Sequence, residues 1–102
     1  MDEVDILLDS ISDKIMETGL LTDCIEDGSL ATVSLSLSGD KDYWELFINV
    51  IVDDRTSDAL DPDEEESISD AVSGYFQDSK LLKEFEKLGY KKFAGFEAKL
   101  AK

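Results

Sequence analysis

Residues 30–52, LATVSLSLSGDKDYWELFINVIV, decide the fold, because they hold two runs of strand periodicity back to back. From Leu30 to Ser38 apolar and hydroxyl side chains alternate strictly: Ala31, Val33, Leu35 and Leu37 lie on one side, Thr32, Ser34, Ser36 and Ser38 on the other. Successive side chains of a strand point to opposite faces, so this run reads as a half-buried strand. In the next run Trp44, Leu46, Ile48, Val50 and Val52 form a wholly apolar face, against a mixed face of Tyr43, Glu45, Phe47, Asn49 and Ile51. That is the pattern of a central strand. Gly39-Asp40-Lys41-Asp42 supplies the turn between them.

Upstream, Val4, Leu7, Leu8, Ile11 and Ile15 recur at three- and four-residue steps, which predicts an amphipathic helix from Asp2 to about Thr18 with Gly19 as its stop. Residues 22–26 then read as a short strand, joined to the next by an Asp27-Gly28 hairpin. Downstream, Asp61 is placed as an N-cap, Pro62 at the first helical position and Glu64 as the return half of a capping box. Ile68, Ala71, Val72, Tyr75 and Phe76 continue that helix as a stripe; Leu81, Leu82, Phe85 and Leu88 give a second one ending at Gly89. The tail KKFAGFEAKLAK is ambiguous: Phe93, Phe96 and Leu100 have helical spacing, but Gly95 costs a helix about 1 kcal/mol relative to alanine. The expected fold is α+β: an N-terminal helix, an antiparallel sheet of two or three strands, then two or three C-terminal helices packed on one face.

A chain of 102 residues suits one small domain, 1–102, and 42% hydrophobic content with nine aromatics is too rich for a disordered acidic tail despite a net charge of -15. The N-terminus MDEVDILLDS lacks the basic segment of a signal peptide and the apolar runs are short, so a cytoplasmic protein of the producing or infected cell is expected. Cys24 is the only cysteine and histidine is absent, which rules out an internal disulfide, a zinc cluster and any Cys-His or Ser-His pair within one chain. No Gly-rich loop or activated nucleophile accompanies the carboxylates, so no enzyme, catalytic residue or cofactor is expected. Residues 1–79 carry 22 acids against Lys14, Lys41 and Arg55, net -19; residues 80–102 carry seven lysines against three glutamates, net +4.

The acids fall in two groups. Residues 52–66, VDDRTSDALDPDEEE, hold eight carboxylates and Arg55, including Asp53, Asp54, Asp58, Asp61, Asp63, Glu64 and Glu65. As a calcium loop the register fails: counting from Asp61, the sixth position is Glu66 where glycine is needed and the twelfth is Val72 where glutamate is needed. No metal is expected there. The second group, Asp5, Asp9, Asp13 and Glu17, is spaced by four, which puts a carboxylate about every 6 Å along one flank of the first helix. Each like-charge neighbour costs a helix roughly 0.2–0.5 kcal/mol. A solvated, solubilising face is one explanation; a surface for a basic partner is the other, since solubility needs a charge of only about 2–8 in magnitude.

Duplex DNA presents a phosphate about every 3.4 Å per strand, and a helix with carboxylates on every turn approximates a sparse version of that array. Residues 1–79 resemble in composition the small acidic DNA mimics that phages make against host defence or transcription machinery. The resemblance implies a non-enzymatic inhibitor, of anti-CRISPR or anti-restriction type, that occupies the basic site of a nucleic-acid-binding enzyme or complex and binds no nucleic acid itself. An immunity or antitoxin protein for a basic nuclease would use the same charges on a narrower target. An adaptor or a homodimer would instead use the open sheet face, where Tyr43, Phe47 and Ile51 are candidate hydrophobic contacts beside the serine row; against this, the tail is expected to fold over that face through Phe93 and Phe96. The lysine-rich tail is read as neutralising the acidic body rather than binding a membrane. Cys24, between Asp23 and Glu26, is read as inert.

Overall fold

The computed structural model describes residues 2–25, 28–55 and 59–101. In chain order the elements are α1 (Glu3–Thr18), one 3-10 turn (Thr22–Cys24), β1 (Ser29–Gly39), β2 (Tyr43–Asp53), α2 (Pro62–Ser79), α3 (Leu81–Lys87) and β3 (Lys92–Leu100). The strands lie in the order β1-β2-β3, with β2 antiparallel to β1 and parallel to β3. The fold is α+β, but the sheet is mixed where an antiparallel one was expected. The excursion through α2 and α3 carries the chain back to the end of the sheet where β2 began, and β3 can then run only alongside it in the same direction.

The β1–β2 hairpin follows the alternation. Val33, Leu35, Trp44, Leu46, Ile48 and Val50 are buried, and Leu35 stands opposite Ile48. Its turn is built by Asp40, whose Oδ1 accepts from the N–H groups of Asp42 (2.9 Å) and Tyr43 (3.1 Å). Gly39 there has φ 94, and any side chain on it would collide with the Tyr43 carbonyl. Both long helices pack on the apolar face of the sheet, α1 chiefly against β1 and α2 against β3. Leu8, Ile11 and Ile15 of α1 meet Ile68, Val72 and Phe76 of α2 in one apolar cluster with the inner face of the strands. Trp44 closes its far end among Phe85 (4.9 Å between ring centroids), Tyr90 (5.4 Å) and Phe93 (4.5 Å).

Two segments depart from the sequence reading. Of the residues expected as a first strand, Thr22–Cys24 form the 3-10 turn between the buried Leu21 and Ile25; Glu26, and Asp27 of the hairpin dipeptide, lie outside the described residues. The tail is neither a helix nor a cover for the open sheet face. It is β3, and a bulge explains its helical spacing: Trp44 faces Phe93 and Leu46 faces Phe96, so two residues of β2 span three of β3. Gly95, at φ 140, takes the extra position. Phe93 and Phe96, three residues apart, thereby point to the same side, against Trp44 and Phe76.

Candidate functional site

α1 exposes its acids because its other side is fully engaged. Leu8, Ile11, Ser12 and Ile15 are buried and Asp5, Asp9, Asp13 and Glu17 are exposed, so the four-residue spacing delivers the flank that it predicted. Among the described residues no lysine or arginine comes within ion-pair distance of these four carboxylates. Ser12 fixes the flank to the sheet: its hydroxyl donates to the Leu8 carbonyl at 2.8 Å and accepts the N–H of Leu35 at 3.1 Å. Leu35 belongs to β1, an edge strand, so Ser12 occupies one of that edge's unpaired groups and holds the acidic flank beside it.

The second group divides. Asp53 and Asp54 at the end of β2, and Asp61, Asp63 and Glu65 at the start of α2, are exposed. Asp58 lies outside the described residues. Glu64 is not on the surface: it is 1% exposed, and its side chain forms a two-pronged ion pair with Arg55, whose side chain is 3% exposed, at 2.5 Å and 3.0 Å. Glu64 Oε1 also accepts the Asp61 N–H at 3.0 Å as part of the capping box, and Arg55 donates to the Ala59 carbonyl at 2.9 Å. Arg55 thus ties the loop to the first turn of α2, and Glu64 serves the fold instead of a partner. Among the described residues no group of three or more Asp, Glu or Cys side chains converges as a metal site.

The open sheet face carries Thr32, Ser34, Ser36 and Ser38 from β1, Tyr43, Glu45, Phe47, Asn49 and Ile51 from β2, and Lys92, Glu97 and Lys99 from β3. Tyr43 is 63% exposed and Ile51 40%, whereas Phe47 is half-buried with the Lys99 ammonium 4.7 Å from its ring centre. Asn49 Nδ2 donates to Ser36 Oγ at 3.1 Å. This face is a polar field with apolar ends rather than a continuous aromatic stripe. Its charges, Glu45 and Glu97 against Lys92 and Lys99, cancel, unlike those of the helix flank.

Ile6, missed by the core pattern because it falls off the buried stripe, is 55% exposed and lines a shallow groove with Leu7 and Ser10 of α1 and Glu84, Lys87 and Leu88 from α3 and its end. The Cys24 thiol is half-buried, and burial first and the neighbouring Asp23 second push its pKa up, which disfavours the reactive thiolate. No helix among the described residues is long and apolar enough to cross a membrane. Comparison with known protein families, with curated proteins and with solved structures finds no match for this chain.

Proposed function

We propose that this chain is a non-enzymatic acidic inhibitor that occupies the basic, nucleic-acid-binding surface of another protein. The observation that supports this most is the α1 flank: Asp5, Asp9, Asp13 and Glu17 are exposed in a row, and none is within ion-pair distance of a lysine or arginine among the described residues. Like charges in this arrangement do not help the helix, so their use lies outside it. Asp53, Asp54, Asp61, Asp63 and Glu65 extend the field to the loop end of the sheet. Summed charge of one sign accelerates encounter with a basic groove, and the contact weakens as salt screens it. Capture of a basic protein on the immobilised chain at low salt, with release along a salt gradient, tests the proposal. Recovery only of partners insensitive to salt would overturn it.

A second reading is favoured by the exposure of Tyr43 and Ile51: an adaptor that meets its partner through the open sheet face. The two are separated by calorimetry at two salt concentrations. An adaptor loses about 2 kcal/mol or more on Tyr43→Ala or Phe47→Ala and little on raising salt; an acidic mimic shows the reverse.

A further inference from the structure

Three shallow hollows share walls along the outer side of α1. One lies between the start of α1 and the residues that follow α3, Leu88 and Tyr90. It shares Glu3 and Leu88 with a second, whose apolar lining is Ile6, Leu7 and Leu88. The second shares Ile6 and Ser10 with a third, which follows α1 as far as Glu17. Together they make one trough beside a helix of 16 residues, about 24 Å long. Its chemistry changes along its length. Ile6 is 55% exposed, with Leu7 and Leu88 half-buried beside it, so the middle is an apolar step open to solvent. Toward Glu17 the wall is acidic: Asp9, Asp13 and Glu17 stand against Lys14 alone among the lining residues. Lys87, the cation of the middle hollow, is paired with Glu84 at 3.4 Å, which leaves Glu3 in excess there. A single exposed apolar side chain is ordinary, but three that adjoin a row of acids have the make-up of a contact surface, apolar at the centre and charged at the rim.

We infer that this trough docks a basic amphipathic helix of a partner protein, with one apolar side chain seated on Ile6, Leu7 and Leu88 and its lysines or arginines facing Asp9, Asp13 and Glu17. The inference rests on the proposed binding of a basic partner and specifies how that partner is held. Charge decides the occupant. A second copy would bring its own net charge of -15 against the acidic wall, and nucleic acid or an anionic membrane would be repelled in the same way. An extended peptide would need a sheet edge to satisfy its backbone, whereas the long wall of the trough is the side of α1, whose N–H and C=O groups are bonded within the helix. A docked helix satisfies its own backbone. Its residues at four-residue steps also recur about every 6 Å, the spacing of the α1 carboxylates, so cations on one flank meet Asp9, Asp13 and Glu17 in turn. The apolar seat adds what the acids lack. Charge spread along a helix attracts any basic surface, whereas a side chain that covers Ile6 fixes the partner's position along α1.

The test uses the full chain and two dye-labelled helical peptides of about 18 residues. One is built of alanine and lysine, with leucines at three- and four-residue steps along one face. In the other every leucine is replaced by alanine, which keeps the charge and the helicity. Fluorescence anisotropy in about 50 mM NaCl should show the leucine peptide binding about tenfold or more tighter than its counterpart. Ile6→Ser should shrink that margin to about twofold, because Ile6 is exposed and its loss removes the apolar seat without opening the core. Asp9→Asn combined with Asp13→Asn should weaken both peptides. Circular dichroism of each variant verifies the fold. Equal binding of the two peptides, or a margin indifferent to Ile6→Ser, overturns the inference and leaves salt-sensitive capture of a basic partner standing. Binding of neither peptide removes both. Indifference to the asparagine pair also overturns the inference, since the basic face would then lie elsewhere. So does a margin lost on Ile51→Ser instead, which would place the contact on the open sheet face, or self-association abolished by Ile6→Ser, which would give the trough to a second copy.

Discussion

α1 and α2 both open with acids and both bury an apolar stripe on the same sheet face, yet they are fastened by different chemistry. α1 has Asp2 at its N-cap with no side-chain capping bond, keeps every carboxylate outside, and is tied to β1 by the neutral hydrogen bond from Leu35 to Ser12. α2 has a full capping box and draws Glu64 inside, where Arg55 meets it with two hydrogen bonds. Position relative to a single cation separates the two outcomes. Arg55 is the one arginine among the three cations of residues 1–79, and its planar fork matches a carboxylate in two places. Among the described residues the four flank acids of α1 have no such partner.

The largest effect expected from breaking this contrast is at Glu64. Glu64→Ala removes the carboxylate half of a buried pair, which should lower unfolding free energy by about 3–5 kcal/mol in a urea titration. A loss under about 1 kcal/mol would show that solvent reaches the pair. Next is Ser12→Ala, which leaves the buried Leu35 N–H without an acceptor and should cost about 1–3 kcal/mol by the same measurement. Reversing Asp5, Asp9 and Asp13 to lysine should leave circular dichroism unchanged and lower the association rate with a basic target about tenfold at low salt. An unchanged rate would remove α1 from the binding surface. Neutralising Asp9 alone should raise stability by only about 0.2–0.5 kcal/mol, the repulsion along the flank.

The smallest effect concerns Cys24, just past α1. Its folded pKa is raised by burial and by Asp23, so alkylation by iodoacetamide at pH 8 should be slower than in the urea-unfolded chain. Below the ordinary thiol range both states hold the proton and nothing changes. As pH rises through that range the unfolded chain releases its proton first, so stability falls with pH there. Equal alkylation rates in the two states would contradict the burial.

Much of this was legible without coordinates, wherever a local pattern has one physical meaning. The strict alternation of 30–38 and the unbroken apolar face at every second residue of 44–52 specify strands, and the three-and-four spacing of 4–15 specifies a helix with its acids outward. Asp61-Pro62 with Glu64 specifies a helix start, whatever the rest of the chain does. In each case the residues that decide the element lie within a turn or two of one another.

What tertiary structure decided involves partners distant in sequence or a break in period. The single extra residue at Gly95 turned a strand into an apparent helix pattern, and only pairing with β2 shows that Phe93 and Phe96 share a face. The parallel direction of β3 depends on the length and path of α2 and α3. The capping box marks Glu64 within the sequence, but its burial depends on Arg55, nine residues away, lying against it. Each of these depends on which strand or side chain lies alongside, and strand pairing sets a register that periodicity within one segment cannot supply.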